Sequence, residues 1–525
     1  MAEDRVEDLQ AAEHLELADF FSSMELARPE VLRDAAAYKV FQSCSEVLRE
    51  GGGEASFAKS QVTDRIQEFW SHSWHSSAWK KVLTLLVLNN GPAAIALGTF
   101  CALLGACLFL LNGQAPGFMC PVLGVAGAGF TLAFWRSRKR IFLDAMCISQ
   151  TDDELKTEAI RSLAGILNKS DSMLVLWDES FADRLWCIFE LAAFLKSQES
   201  QAKALPIICP TLAGPISVGL FAMAVVAAGF RTILLGMKDE HWALSLLGTL
   251  LILVSYFQII AHVGRGFYRS IEAMQRKLLS LRVAETECNC CKVGHVDVEG
   301  EQLLCDRVVI YDCIARWFGS IEEFEEFIHT KVVDEITRGI ERTKFSDAWA
   351  VAMATPTYWA MIDRAFAVLA LAGVPTWQQL LWWVLQVLGI ICFFPVLTAW
   401  NKFLAHSFRQ PGWTKNLLIL LCNLPITFAR LAADAISLRY EAHLEQAAAF
   451  AVIMGPSLAL MWSLRAWHGC HWLSQCLVQY RLSLERDCDK AVGSDDALDH
   501  RLPKLEVIAE VIGNGEVSRV PARKI

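Results

Sequence analysis

The sequence predicts a mainly α-helical membrane protein of about eight transmembrane helices, carrying a small α/β parallel-sheet domain split around a membrane segment. Three observations predict it. The 525 residues are 54% hydrophobic and only 20% charged, with a mean hydropathy of +0.34, whereas soluble domains carry roughly 25% charged residues. Several stretches run about 18–20 residues without a charge, the length that crosses a hydrocarbon core. One polar stretch between them alternates apolar strands with helical patterns, as a parallel sheet with covering helices does.

The net charge of −9 and a pI near 5.8 leave no basic footprint for nucleic acid. The 17 cysteines are scattered, and many, such as Cys101, Cys107, Cys120, Cys392 and Cys422, sit inside apolar runs as small hydrophobes. That usage excludes a secreted disulfide scaffold. The first residues are acidic and lack an apolar core, so insertion is expected to rely on internal spans.

Residues 1–60 read as an N-terminal helical cytosolic segment broken by Gly51-Gly52-Gly53, and 61–91 as the first part of the α/β domain. A transmembrane hairpin follows over 92–135, with spans Pro92–Leu111 and Phe118–Trp135. Lys80 and Lys81 precede it and Arg136, Arg138, Lys139 and Arg140 follow, which places both flanks in the cytosol. The domain resumes over 136–203. A second hairpin, 204–264, has spans Ala213–Leu235 and Trp242–His262, and Arg265 and Arg269 mark its cytosolic exit. A cytosolic helical region, 265–347, leads to a four-helix membrane region, 348–467. Its expected spans are Ala348–Leu371, Leu380–Trp400, Leu417–Ala433 and Ala447–Trp467, and residues 468–525 form a cytosolic tail. Both termini are thereby cytosolic, and the bilayer is the first expected partner.

The informative soluble stretch is Ile141–Ser197. Ile141-Phe142-Leu143 ends in Asp144, and Thr151 and Glu154 stand at capping-box spacing before a helix. That helix turns Leu155, Ala159, Leu163 and Ile166 to one face. Met173-Leu174-Val175-Leu176-Trp177 reads as a buried strand, and Leu185 to Leu195 as a helix apolar nearly all round. Within that helix Glu190 is the only ionisable side chain besides the Cys187 thiol. Its carboxylate therefore sits in a cleft or at a rim, and a cleft would raise its pKa.

Phe142-Leu143-Asp144, the helix, the strand and Trp186-Cys187-x-x-Glu190-Leu191 resemble a Toll/interleukin-receptor-type (TIR) domain. The run Phe142 to Gln150 is also similar to heterokaryon-incompatibility domains. Upstream, Glu68-Phe69-Trp70-Ser71-His72-Ser73-Trp74 resembles the first TIR strand and loop, with Lys80–Asn90 opening the first helix. Multi-pass chains with this pairing resemble a large group of dinoflagellate-type membrane proteins. The match covers under a fifth of the chain, interrupted by the first membrane hairpin, and Gln201–Pro210 supplies at most one further strand. The resemblance implies signalling or scaffolding through self-association or contact with other TIR-like domains. That is the leading expectation; the alternative it implies is NAD hydrolysis with Glu190 as the catalytic carboxylate. Asp144, His72, Ser73 and Trp186 are the residues it implies around the NAD. Each has a plainer role: Asp144 as a turn cap, Trp186 as core, Glu190 as a helix residue bonded to a neighbouring amide.

Two other features are weighed. Asp363-Arg364 inside the fifth span, with Pro356, Pro395, Pro425 and Pro456, raises a third reading, transport through the C-terminal spans; the plain alternative is an interfacial charge pair and tolerated kinks. Cys288, Cys290, Cys291, His295 and Cys305 cluster in the cytosolic region but lack the paired Cys-x-x-Cys spacing of zinc sites. They read as reduced structural or palmitoylated cysteines, and no metal is expected. The glycines of Gly124–Gly129 lie within a span and read as helix packing.

Overall fold

The computed structural model describes residues 14–112, 118–201, 205–235, 242–296, 305–333 and 347–372, with Trp377 and most of 400–439. The expected span Ala447–Trp467, nearly all of Leu380–Trp400, and the tail 468–525 lie outside the described residues.

Six strands form one sheet: β1 (Arg33–Ala36), β2 (Gln61–Val62), β3 (Glu68–His72), β4 (Arg140–Phe142), β5 (Met173–Trp177) and β6 (Ile207–Pro210), in the order β2-β1-β4-β3-β5-β6. β4, β3, β5 and β6 run parallel, with Phe69 opposite Phe142 on one side and Met173 on the other. Every residue of β3 and β5 is buried, as expected of parallel strands covered on both faces. The sheet is nevertheless mixed rather than parallel, because β1 pairs antiparallel with β4 and β2 antiparallel with β1. β1 falls within the segment expected to be wholly helical. It is four residues long and half polar, too short for an apolar period to register. A charge pair holds it instead: Arg140 Nε donates to Asp34 Oδ2 at 2.8 Å, and Asp34 is buried.

α-Helices of six residues or more are numbered in chain order. α1 spans residues 14–23; α2 is Ala78–Asn112, α3 Met119–Phe134, α4 Asp153–Arg161, α5 Leu163–Asn168, α6 Leu185–Gln201, α7 Ala213–Leu235 and α8 Trp242–Leu279. α9 is Asp306–Phe318, α10 Ile321–Phe327, α11 Asp347–Met353, α12 Thr355–Ala372 and α13 Trp413–Arg439. Two of these helices carry a side-chain cap. Ser320 Oγ accepts from Glu323 N at the start of α10. At α4 the cap is Asp152 rather than Thr151, with Oδ1 accepting from Leu155 N at 3.0 Å.

The chain leaves β3 into α2, turns, returns through α3, and enters β4. Leu85 near the start of α2 is buried in the core of the α/β domain, so one helix serves first the domain and then the hairpin. α7 and α8 form the second hairpin. α8 is 38 residues, about 57 Å at 1.5 Å per residue, and runs well past the expected span end at His262. Its second half turns Phe267, Ile271, Met274 and Leu278 into the domain core, a spacing that keeps one helix face inward.

Eight spans are not reproduced among the described residues. Three helical stretches there are long and apolar enough to cross a membrane: Ala78–Leu108, Ala213–Phe230 and Leu247–Leu279. Met119–Phe134 is apolar but shorter, about 24 Å at the helical rise. The expected span Ala348–Leu371 is divided between α11 and α12 at Ala354, just before Pro356. Asp363 in α12 is buried, and its Oδ1 accepts from Cys120 N at 3.0 Å. It thus caps the first turn of α3, where the helix dipole favours an anion, and this gives the charge a structural partner. The side chain of Arg364 lies outside the described residues.

Small residues set the helix contacts. A methyl group at Gly124 would come within 2.5 Å of the Trp359 ring, and one at Gly98 within 2.8 Å of Ala128 Cβ, the packing role expected of this stretch. Where the hairpins meet, Thr84 Oγ1 donates to Thr211 O at 2.8 Å and accepts from Gly214 N at 3.0 Å. A Cβ at Gly214 would lie 2.3 Å from Thr84 N, a backbone atom that cannot yield cheaply. Gly214→Ala is therefore expected to destabilise the protein by about 1–3 kcal/mol, the usual cost of overpacking. Gly219→Ala, which meets open space, leaves the midpoint of thermal unfolding in detergent unchanged. Equal midpoints for the two variants would refute this contact.

Candidate functional site

The parallel strands run β4-β3-β5-β6, so the chain crosses from β3 to one side and then passes back over it to the other. Such a reversal leaves a crevice beyond the carboxyl ends of the strands, where open α/β sheets place ligands. His72 ends β3, Asp144 follows β4, Asp178 follows β5, and α6 lays Glu190 over the same edge.

Ser71 is a small polar residue in an otherwise bulky strand, 2% exposed. Its Oγ donates to Glu190 Oε2 at 2.5 Å. Glu190 is half-buried as a residue, and its carboxyl is held out of bulk water. Burial pushes its pKa from 4.5 up to about 8; the Ser71 hydrogen bond opposes the shift, the Asp144 charge adds to it and the Arg184 charge opposes it. Desolvation wins, and most of the carboxyl is protonated at pH 7.

His72 is 7% exposed, and its ring meets Trp74 edge-on at 4.6 Å between centroids. Burial lowers its pKa to about 4, against the pull of Asp144, with Lys81 and Arg184 adding to the fall. The imidazole is therefore neutral, and its buried Nε2 has no hydrogen-bond partner among the described residues. Ser73 Oγ lies 2.7 Å from Ser180 Oγ, which is 3.0 Å from Asp178 Oδ1. Burial raises the Asp178 pKa, moderated by the Ser180 hydroxyl and by Lys81. Lys81 Nζ donates to Ser73 O at 3.2 Å, and Arg184 Nη1 lies 2.5 Å from His75 Nδ1.

Four of the five expected residues, Glu190, Asp144, His72 and Ser73, gather at this edge. Asp144 is a turn cap as well: Oδ1 accepts from Ala145 N at 2.7 Å, while Oδ2 accepts from Trp74 Nε1 at 2.9 Å. Trp186 takes the plainer role. Its ring packs on Phe21 and Phe189, and Nε1 donates to Asp306 Oδ2 at 3.1 Å. Cys187 is no nucleophile, since burial raises its pKa well above 9 and its Sγ faces the His72 carbonyl at 3.7 Å. Ser71, Asp178 and Ser180 lie outside the expected set. Their signs in sequence were a lone hydroxyl inside a buried strand and an Asp-x-Ser directly after another.

Chemically the edge offers a carboxyl that titrates near neutrality, a neutral imidazole whose Nε2 has no partner among the described residues, three hydroxyls, two further carboxylates and two cations. It suits a polyhydroxylated ligand with some negative charge. Because Glu190 is protonated in the fold at pH values where the unfolded chain has lost the proton, stability falls as pH rises from about 4.5 to 8 and is level above. Glu190→Gln abolishes that component. Its stability advantage over the parent is expected to widen across this window, and a constant difference from pH 5 to 8.5 in chemical denaturation would refute the assignment. Comparison of the chain with protein-family models, with curated proteins and with solved structures gives no match.

Proposed function

We propose that the chain is a multi-pass membrane protein with a cytosolic TIR-like domain, and that this domain hydrolyses the nicotinamide–ribose bond of NAD with Glu190 as its catalytic carboxylate. The observation that carries the reading is the Ser71–Glu190 pair at the strand-order reversal, a desolvated carboxyl among hydroxyls and acids. The strand order of the parallel core supports the TIR likeness. The membrane topology has its own support. Each hairpin leaves the α/β domain and comes back to it, the first from β3 to β4 and the second from β6 to the buried face of α8. Both ends of each hairpin thus belong on one side, and the basic flanks make that side the cytosol.

In the reaction the bond between ribose C1′ and the nicotinamide nitrogen breaks, and its electron pair leaves with neutral nicotinamide. The ribose passes through an oxocarbenium-like transition state and is captured by water, giving ADP-ribose and a proton. The cationic nicotinamide ring draws the proton off Glu190, since a neighbouring positive charge favours the carboxylate. Glu190 then stabilises the developing positive charge at C1′ and accepts the proton of the attacking water. Ser71 fixes the carboxylate. Asp178, Ser73 and Ser180 accept and donate hydrogen bonds to the ribose hydroxyls, and Lys81 and Arg184 offset diphosphate charge.

Nicotinamide release from NAD by the full chain in detergent tests this beside Glu190→Gln. Cleavage is expected, with the variant slower by about 10²–10⁴-fold, the usual worth of a positioned acid–base group. Because the reactive form is the carboxylate, kcat/KM falls as pH drops below about 8. Ser71→Ala removes the bond that favours the ionised form and moves that limb to higher pH. Cleavage insensitive to Glu190→Gln would sink the site assignment. No cleavage by folded protein, dilute or clustered, would sink the enzyme reading and leave signalling through domain self-association.

A further inference from the structure

The cysteines of residues 288–305 do not stay scattered when the chain folds. A one-turn helix, Asn289–Lys292, carries Cys290 and Cys291. The chain then reverses through Gly294 and His295, with φ of +72° and +59°. Glycine takes the left-handed region freely; histidine seldom does. His295 N donates to Cys290 O at 2.9 Å, which closes the knuckle. Cys305, at the start of α9, comes in from the far side.

We propose that Cys290, Cys291, His295 and Cys305 form a four-coordinate site for a thiophilic divalent cation, zinc by its ligand chemistry. The four ligand atoms all lie within 4.8 Å of one another. Cys290 Sγ and Cys291 Sγ are 3.9 Å apart, and Cys291 Sγ and Cys305 Sγ 3.8 Å. A tetrahedron with zinc–sulfur bonds of 2.3 Å has edges of about 3.8 Å. Disulfide sulfurs would lie about 2.05 Å apart, so neither pair is bonded. The Nε2 of His295 is buried with no hydrogen-bond partner among the described residues, a cost that a metal bond removes. Three cysteines and one histidine are an ordinary structural zinc set, and such sites are closed to water.

The surroundings supply what a zinc set needs beyond its ligands. Three thiolates and a neutral imidazole leave a zinc complex with one net negative charge. The Arg307 guanidinium, whose charge acts on Cys291, balances it, and is itself anchored on the Ala284 and Thr286 carbonyls at 2.7 and 2.6 Å. Outer partners of this kind orient metal ligands. Cys288 stands outside the set, with Sγ 3.0 Å from Cys290 Sγ and 3.9 Å from Asp306 Oδ2.

The position gives the site a structural task. Cys305 N donates to His14 Nε2 of α1 at 3.2 Å. Asp306 accepts from Trp186 of α6. Leu185 N, at the first residue of α6, donates to Glu287 O at 3.1 Å. One cation would thus tie α1, the segment after α8 and α9 to the end of the helix that carries Glu190.

Zinc content of the purified full chain in detergent, measured by plasma mass spectrometry, tests the proposal. About one zinc per chain is expected, exchangeable for cobalt with the d–d absorption of a tetrahedral thiolate complex. A Cys291→Ser/Cys305→Ser double variant loses the metal, while Cys313→Ser, a buried cysteine outside the cluster, keeps it. Chelation lowers the unfolding midpoint of the parent and not of the double variant. Should the double variant fail to fold, the zinc content and cobalt spectrum of the parent still decide. Parent protein without stoichiometric zinc, with these cysteines acylated or in disulfides by peptide mass spectrometry, overturns the proposal. So does metal that the double variant retains.

Discussion

The pairing of β3 with a strand on each side is the constraint from which the rest of the structure follows. Its backbone donors and acceptors are buried and must be met by β4 and β5, because an orphaned peptide group in the core costs far more than a hydrogen bond returns. β4 comes after the first hairpin and β5 after β4, so the sheet can close only if the apolar helices α2 and α3 go out and come back. The base of β3 is fixed too. Glu68, 4% exposed, accepts from Lys139 Nζ at 2.6 Å and from Trp70 Nε1 at 2.7 Å. A strand held along both edges and at its foot has little freedom at its head, where Ser71 and His72 stand.

Packing of α6 transmits that rigidity to the carboxyl. Ile188, Phe189, Leu191, Ala192, Ala193 and Phe194 are all fully buried. A helix gripped on nearly every side cannot slide by a fraction of a turn, so Glu190 is set against Ser71 by the core. The same burial that locks the helix desolvates its one acid, and the Ser71 hydrogen bond only partly offsets that cost. Placement and proton affinity of Glu190 are therefore two results of one cause.

Much of this was legible in the sequence wherever pattern is local. The five apolar residues Met173–Trp177, the apolar helix with a single acid and the basic flanks of the hairpins each announce themselves within one short window. What was hidden depends on distant partners. Arg33–Ala36 is a strand only because β4 and the Arg140 guanidinium await it. α8 reads as a span that ends at His262, since its charged second half looks soluble until the core takes in Phe267 to Leu278. The cysteines lack zinc-type spacing, and it is the chain reversal at Gly294 and His295 that brings them together. Among the described residues the expected spans depart for another reason: hydropathy finds apolar runs, but it sees neither the break between α11 and α12 nor that Asp363 is already engaged by α3.

The apolar hairpins interrupt the domain at the one kind of place where interruption costs the sheet nothing. Parallel neighbours need a crossover of a dozen or more residues in any case, usually a helix. Extending that helix at its far end leaves the turns that face the sheet untouched. In α2 these are the turns of Val82, Leu85 and Leu88, packed on the domain core. One or more turns beyond, Phe100, Leu103 and Leu104 face outward, joined by Phe130 and Phe134 of α3. Apolar patches of that size on a soluble surface invite aggregation, whereas a bilayer covers them. The second hairpin repeats the logic beyond β6, with Val226 and Phe230 exposed on α7 and the second half of α8 returned to the core. In the membrane reading proposed above, the domain is therefore not tethered by a linker. It is continuous with its spans through helix, with Pro92 inside α2 between the turns on the core and those beyond, so a displacement of α2 or α8 within the bilayer is passed to the domain core at Leu85 and at Phe267 to Leu278.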